Sequence, residues 1–114
     1  MSAIDQVQAH FQRLDTRQIE VPEWADDQGK PMIIYCTPIT LAEKAKIARA
    51  GDEFGRVMML VHALIIKAQD ADGKKLFTVA DKKALSEKAD PDVIARIVAQ
   101  LMYAPPIEEA EKNS

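Results

Sequence analysis

The 114-residue sequence lacks the features that mark secreted, disulfide-linked or membrane-spanning proteins. Its single cysteine, Cys36, excludes an intrachain disulfide, so we expect a reducing compartment and a buried thiol with a packing role. The N-terminus has neither the basic nor the apolar region of an export signal. Charged or polar side chains interrupt every apolar run before the roughly 18 residues that a membrane span needs. We therefore expect a cytoplasmic protein that does not associate with membranes.

Motifs for catalysis, metal binding and nucleic-acid recognition are also missing. His10 and His62 have no second histidine or cysteine close by in sequence, so a zinc site lacks ligands. The sequence contains no glycine-rich phosphate loop and no nucleophile elbow. A net charge of −3, with lysines interleaved among acidic residues, is untypical of nucleic-acid-binding proteins. We expect no enzyme activity, no metal or other cofactor and no nucleic-acid partner.

What the chain does contain is a strongly apolar stretch, residues 54–68, with the sequence FGRVMMLVHALIIKA. Its spacing predicts a central helix with one broad core face. That predicted core face consists of Phe54, Val57, Met58, Val61, Leu64, Ile65 and Ala68. The opposite face is also apolar, with a narrow charged seam of Arg56 and Lys67. It carries Met59, Leu60, His62 and Ile66.

A helix that is apolar on nearly all sides is enclosed by its own chain or covered by another molecule. A domain of this length has little material with which to enclose it. We therefore predict a partner-binding surface that includes Met58, Met59, His62 and Ile66, where flexible methionines can adapt to varied partners. The alternative, that these four residues pack in the core or between copies of the chain, is equally compatible with the sequence.

The residues before this stretch predict a short helix and a β-hairpin. Apolar residues spaced three and four apart from Ile4 to Leu14 indicate an amphipathic N-terminal helix, with Ser2 as its cap. Two strand patterns, 17–21 and 32–37, flank a turn-forming segment at 26–30 and together predict a hairpin over about 17–37. We expect Trp24 to anchor the hairpin against the helices.

A capping box formed by Thr40 and Glu43 predicts the start of the next helix. We expect this helix to run from Leu41 to about Ala50 and to end at Gly51, after which Asp52 caps the central helix. The predicted buried residues of this helix are Leu41, Ala45 and Ala48.

Two further helices are predicted after the central one. Residues 70–75, DADGKK, fit an Asp-Gly turn better than a calcium loop, because Ala68 and Val79 would fall at ligand positions. Thr78 then caps a helix that ends near Lys88. Asp90 and Pro91 begin a last helix that ends near Tyr103, and its apolar stripe makes it the expected main partner of the central helix. That stripe consists of Val93, Ile94, Ile97, Val98, Leu101 and Met102.

These patterns predict a mainly α protein of the α+β class, with four to five helices packed around the central apolar helix and one small N-terminal hairpin. We expect residues 1–103 to form a single domain. Residues 104–114, which follow the helix and are rich in glutamate, are predicted to form a flexible acidic tail.

Four segments in a fixed order point to a family. Residues 18–24 read QIEVPEW, residues 33–35 read IIY, residues 38–43 read PITLAE and residues 70–77 read DADGKKLF. A charged helix, ADKKALSEKA, and a final apolar helix follow. In this order and spacing, residues 18–102 resemble the small tail assembly chaperones of long-tailed bacteriophages and prophages.

The resemblance implies a non-enzymatic factor in the host bacterial cytoplasm that is not part of the mature virion. Such a factor binds the tape measure protein, keeps it soluble and helps to recruit tail tube subunits before the tail polymerises. We also expect a homo-oligomer. Two other functions stay open on the residues alone: a small helical DNA-binding regulator and a generic protein-interaction domain. The regulator is disfavoured, because the last helix offers only Arg96 and Gln100 for contacts with DNA.

Overall fold

The computed structural model of the protein describes residues 2–102. In chain order its main elements are α1 (Ala3–Gln12), β1 (Arg17–Val21), β2 (Met32–Cys36), α2 (Leu41–Phe54), α3 (Arg56–Lys67), α4 (Lys82–Glu87) and α5 (Pro91–Met102). Short 3₁₀ turns at Pro22–Trp24 and Val79–Asp81 follow β1 and precede α4. This arrangement confirms the predicted α+β class. The predicted acidic tail and the predicted helix end near Tyr103 lie outside the described residues.

The hairpin has the predicted strands and turn. β1 and β2 are antiparallel, with Arg17 paired to Cys36 and Val21 paired to Met32. Because successive side chains of a strand point to opposite faces, one face of the hairpin enters the core. The buried residues of that face are Ile19, Val21, Ile34 and Cys36. Burial raises the pKa of the Cys36 thiol, which keeps this side chain a neutral packing residue, as predicted.

Two Asp-Gly turns share one hydrogen-bond pattern. Asp26 Oδ1 accepts the amides of Gln28 and Lys30, and Asp70 Oδ1 accepts those of Asp72 and Lys74 in the same way. The second turn is therefore a plain turn, as predicted. It follows a short bridge in which Gln69 and Tyr35 exchange backbone hydrogen bonds of 2.8 and 3.0 Å. This bridge holds the end of α3 against β2.

The predicted boundary between α2 and α3 is wrong. α2 continues through Gly51 to Phe54, and the chain turns at Gly55, whose φ of +91° favours glycine. Gly51 serves another purpose: a Cβ atom there would lie 3.2 Å from Met59 Cβ. The missing side chain lets α2 and α3 approach closely. Asp52 does not cap α3, because it lies within α2.

The core lies between the hairpin, α2, α3 and α5. The predicted stripe of α5 is confirmed, since five of its residues are buried and Met102 packs at the edge. α3 is the central helix, as predicted, but it packs more extensively against α2 than against α5. The predicted buried face of α2 is wrong. Leu41, Ala45 and Ala48 are exposed, because the turn of the helix directs Ile47 and Ala50 to the core instead.

The sequence placed Lys67 in a charged seam on the side of α3 opposite the core face, but the structure buries it. Its side chain is 1% exposed, and its ammonium donates to Glu43 Oε1 at 3.0 Å and to Thr37 Oγ1 at 2.9 Å. Glu43 is also the capping residue of α2, where it accepts the Thr40 amide at 3.0 Å. Burial raises the pKa of Glu43, but the Thr40 amide and the Lys67 ammonium outweigh burial and lower it. This cluster ties the end of β2 to α2 and α3.

α1 differs from the other long helices because none of its residues is buried. The helix and its cap form as predicted: Ser2 Oγ accepts the Asp5 amide, and the Asp5 carboxylate accepts the Ser2 amide, both at 3.3 Å. Its apolar stripe nevertheless faces solvent, with Ile4 and Val7 each more than half exposed. α1 is therefore a formed amphipathic helix whose apolar side the rest of the described chain leaves uncovered.

Candidate partner-binding surface

A groove between α2 and α3 contains two of the four residues predicted to bind a partner. We call it the α2–α3 groove; its volume is about 260 Å³. It is lined by Lys46, Arg49, Ala50, Glu53, Phe54, His62 and Ile66. Ala50, Phe54 and Ile66 supply apolar surface, while Lys46 and Arg49 add positive charge and Glu53 adds negative charge. The close packing of α2 on α3 at Gly51 holds the two walls in place.

His62 is the polar residue of the groove with an unmet hydrogen bond. Its Nε2 atom is buried and has no hydrogen-bond partner among the described residues. Burial lowers the pKa of His62, and the positive charge of Lys82 lowers it further. The imidazole is therefore neutral at pH 7, which suits a surface that contacts apolar side chains. Leaving a buried polar atom unpaired costs free energy, so His62 is not optimised for the stability of the chain alone.

The other two predicted residues, Met58 and Met59, lie on α3 and are partly buried against the core. Met59 fills the space above Gly51, with its Sδ atom 3.3 Å from where a Cβ on that glycine would be. The structure thus brings His62 and Ile66 together in the groove and places Met59 at the contact between the two helices. Whether any of the four residues binds a partner stays a prediction.

Two exposed apolar residues, Phe54 in the groove and Val57 near the start of α3, were assigned to the core by the sequence. Phe54 is 65% exposed and Val57 is 56% exposed, although both were predicted to face inward. The break at Gly55 changes the direction of the chain between them, so they do not share the buried face of α3. The sequence signal for this break was the glycine at position 55, directly after Phe54. Phe54 extends the apolar surface of the α2–α3 groove into solvent.

A second apolar groove lies between α1 and the start of α2, and we call it the α1 groove. Its volume is about 550 Å³. It is lined by Val7, Gln8, Phe11, Gln12, Ile39, Thr40 and Leu41. Leu41 is 86% exposed and is the most exposed large apolar residue of the described chain. The sequence named the N-terminal helix as a possible contributor to the client surface, but it did not single out any residue of this groove, because it does not show that α1 and the start of α2 lie side by side.

Other kinds of site have little support in the described part of the chain. Residues 2–102 contain no group of three histidine, cysteine or acidic side chains placed to hold a metal ion. None of the helices in that range is both long and apolar enough to cross a bilayer. Arg96, a residue on which the DNA-binding alternative depends, donates two hydrogen bonds of 2.7 Å to Glu23. The hydrogen bonds from Arg96 lower the pKa of Glu23 to about 2.

Trp24, the predicted hairpin anchor, lies next to this ion pair. It is partly buried against the core, and its ring meets that of Phe77 edge-on, with centroids 5.9 Å apart. Edge-on packing of aromatic rings is favourable. Trp24 therefore contacts the segment that leads into α4, and the Glu23–Arg96 pair links the same turn to α5.

The fold of this chain is similar to that of a known phage protein. The structure is similar to that of the bacteriophage HK97 tail assembly chaperone, with a TM-score of 0.52. The two share the same fold. The similarity covers 86% of this chain and 92% of the HK97 chain at 17% sequence identity. The resemblance seen in the sequence is thus confirmed at the level of the fold.

Comparisons at the level of sequence do not add to the structural similarity. No protein-family model matches the chain, and no curated protein matches it. The structural comparison therefore establishes the fold, and the surface that the fold presents is the guide to the activity.

Proposed function

We propose that this protein is a phage tail assembly chaperone that binds the tape measure protein and keeps it soluble. It helps to recruit tail tube subunits, acts without catalysis in the host cytoplasm and is not part of the mature virion. The fold shared with the HK97 tail assembly chaperone supports this role. So does the order of sequence segments between residues 18 and 102.

The observation that carries the proposal is the apolar α2–α3 groove with its exposed edge at Phe54. A long helical client with apolar stripes needs an apolar groove in which one helix face can lie. Lys46 and Arg49 at the groove pair with acidic side chains beside the client's stripe. Three of the four residues predicted from the sequence, Met58, His62 and Ile66, contribute the rest of the client surface, while the fourth, Met59, packs against Gly51.

We propose that the same surface also lets the chain associate with itself when no client is present. An exposed apolar patch in a soluble protein marks an interaction site. We propose that copies of the chain cover the α2–α3 groove of one another and that the tape measure protein displaces them. The size of the oligomer then falls when the client is added. An oligomer whose size does not change on binding would contradict this shared use of the surface.

Co-expression with the protein encoded immediately downstream tests the proposed function. The native chain should keep that protein soluble and co-purify with it. Phe54→Asp should abolish co-purification, because it places a charge on the exposed edge of the groove. Val79→Asp is the matched control, since Val79 is 66% exposed and lies outside the groove. Met59→Asp is a poorer probe, because Met59 packs against Gly51 and its loss would disturb the fold.

Circular dichroism and thermal unfolding of both variants provide the control for folding. Both should match the native chain, since neither substituted residue is buried. Failure of the native chain to form any complex would contradict the proposed function. A complex that survives Phe54→Asp would contradict the assignment of the groove.

A further inference from the structure

α1 is a complete helix that gains little support from the rest of the described chain. It has 10 residues, none of which is buried, and its capping box is formed. A helix of this length is marginal in water unless its apolar face packs against another element. That face, which we call the α1 stripe, continues just past the end of the helix and is exposed. Its four residues are Ile4, Val7, Phe11 and Leu14.

The α1 groove beside this stripe has room for the side chains of a second such stripe. Its volume is about 550 Å³. A cavity of roughly 150 Å³ holds one benzene ring, so the groove accommodates about three to four side chains of that size. The wall opposite α1 is apolar, with Leu41 86% exposed and Ile39 beside it. The groove therefore matches the α1 stripe in size and polarity.

The stripe and the groove lie on the same side of the molecule, because Val7 and Phe11 belong to both. A surface that carries both halves of a contact is self-complementary. Two copies can then bind each other about a two-fold axis, and the contact closes after two copies. This geometry favours a second copy of the chain as the occupant of the groove.

The charges of α1 favour an antiparallel pair. Between Asp5 and Arg13 the helix carries no acidic side chain and no lysine or arginine. Antiparallel helices that cross at the level of Ala9 place the acidic end of one copy beside the basic end of the other, and the ends of their macrodipoles are then also of opposite sign. A parallel pair would bring acid beside acid and base beside base.

The polar edge of the groove also suits a second copy. Gln8 and Gln12 line the groove beside the apolar residues. An amide side chain both donates and accepts hydrogen bonds, so two glutamines that meet across a two-fold axis can satisfy each other. Two equal charges at these positions would repel instead.

We propose that two copies of the chain pair through α1 in antiparallel fashion, with the α1 stripe of each copy lying in the α1 groove of the other. Ile4 of one copy then lies level with Leu14 of the other, and Val7 lies level with Phe11. Leu41 of each copy covers the helix that enters its groove. The pair uses none of the residues that line the α2–α3 groove, so it is a separate contact.

The size of the contact limits its strength. A standard interface uses about 20–30 residues on each side, and the α1 stripe and groove supply fewer. Dilution therefore separates the copies and leaves the stripe exposed in the free chain. At high concentration the pair presents two α2–α3 grooves to one long client, which raises the apparent affinity. This last consequence rests on the proposed function, whereas the pairing itself does not.

Single-cysteine cross-linking of the full-length chain tests the pairing and its register. Every sample carries Phe54→Asp, which removes self-association through the α2–α3 groove. Position 8 lies one residue from the centre of the antiparallel pair. Gln8→Cys should therefore give a disulfide-linked dimer when concentrated protein is oxidised by oxygen with a copper catalyst. The native Cys36 is buried and does not react.

Ile4→Cys is the matched control for register. In the antiparallel pair the two copies of position 4 lie about 15 Å apart along the helices. A disulfide spans at most about 7 Å between Cα atoms, so Gln8→Cys should give at least ~10-fold more linked dimer than Ile4→Cys. Equal linking at both positions would mean a parallel or unspecific contact, and no linking at position 8 would mean that α1 does not pair. Either result would overturn the proposal.

Sedimentation equilibrium of the Phe54→Asp chain gives a second readout. This chain should pass from monomer to dimer, and no further, as its concentration rises. Adding Phe11→Asp should raise the dissociation constant at least ~10-fold, because it places a carboxylate in an apolar contact. Adding Val79→Asp instead should leave the dimer unchanged, since Val79 lies outside the α1 groove.

Two outcomes of the sedimentation measurement would overturn the pairing. One is a Phe54→Asp chain that stays monomeric at every concentration, and the other is a dimer that survives Phe11→Asp. Circular dichroism of the same samples should show a folded protein in each case. No client is present in either experiment, so the pairing and the proposed chaperone function can fail independently of each other.

Discussion

α1 and α5 are amphipathic helices of similar length with opposite surroundings. The stripe of α5 lies against the hairpin and α3, and five of its residues are buried. The stripe of α1 has the same kind of spacing, but no residue of α1 is buried. Helical periodicity therefore predicts which face of a helix is apolar, and the tertiary structure decides whether the chain itself covers that face. An uncovered stripe points to a contact outside the packed core.

The largest expected effect is a difference in the free energy of unfolding when the acidic residue is removed from the capping box of α1 or of α2. Glu43→Ala should lower the free energy of unfolding by about 3–5 kcal/mol, because it leaves the buried Lys67 ammonium without its carboxylate. Asp5→Ala removes the corresponding acid from the exposed box of α1 and should cost about 1 kcal/mol or less. Urea unfolding of both variants measures the difference. Equal losses would show that Lys67 does not depend on Glu43.

Lys67→Met tests the same ion pair by removing the charge of the other partner. It should cost less than Glu43→Ala, because the Glu43 side chain is 28% exposed and can be hydrated when its partner is lost. The double variant Glu43→Ala/Lys67→Met should be more stable than Glu43→Ala alone, since no buried charge is left unpaired. A double variant that is less stable than both single variants would contradict this explanation.

The same substitution in the two stripes gives the next largest difference. Ile97→Ala should cost about 2–5 kcal/mol, because Ile97 is fully buried in α5. Ile4→Ala should change the free energy of unfolding by less than about 0.5 kcal/mol, since Ile4 is 60% exposed and lies outside both grooves. Thermal or urea unfolding measures both. A large loss for Ile4→Ala would mean that the stripe of α1 is already covered.

His62 in the α2–α3 groove should show a smaller effect of opposite sign. His62→Leu removes a buried nitrogen without a partner and should raise the free energy of unfolding by about 1 kcal/mol. The same variant should bind the tape measure protein less tightly if the imidazole contacts the client. Unfolding and co-purification are measured on the same sample. A loss of stability would show that the imidazole is satisfied in the free protein.

The pH dependence of His62 follows from its lowered pKa. The unfolded chain takes up a proton below the ordinary pKa of about 6.5, while the folded chain resists protonation until lower pH. The native protein should therefore lose stability as the pH falls below that value. In His62→Leu this part of the pH dependence should be absent. An identical pH profile for the two proteins would contradict the lowered pKa.

The smallest expected effect concerns Glu23 and Arg96, which are both substantially exposed. The pKa of Glu23 is lowered to about 2, so the pair stabilises the fold above the ordinary glutamate pKa and loses this effect as the pH falls toward 2. Glu23→Gln should weaken stability slightly at pH 7, and the loss should shrink as the pH falls toward 2. Salt should reduce the difference at pH 7, since exposed ion pairs are screened.

Much of the fold was predictable because local interactions determine it. Capping residues at Ser2, Thr40 and Asp90 and the turns at Asp26 and Asp70 depend on neighbours within a few residues. The strands of the hairpin and the stripe of α5 follow from periodicity alone. These features were predicted from short segments and are confirmed.

The features that the sequence did not predict depend on contacts between distant segments. Lys67 is buried because Glu43, 24 residues earlier, lies beside it. Gly51 and Gly55 look equivalent in sequence, but Gly51 makes room for Met59 and Gly55 makes the turn. Phe54 is exposed as a result, and the candidate surface moves from the far face of α3 into the α2–α3 groove. Neither result could be read from one helix alone.

Hydrogen–deuterium exchange of the full-length chain, alone and bound to the tape measure protein, tests the proposed client surface most directly. Amides of residues 46–54 and 56–66 should exchange more slowly in the complex, because these segments form the α2–α3 groove. Exchange in α5 should not change, since its stripe is already buried in the free protein. A complex that forms without slowing exchange in the groove would contradict the account.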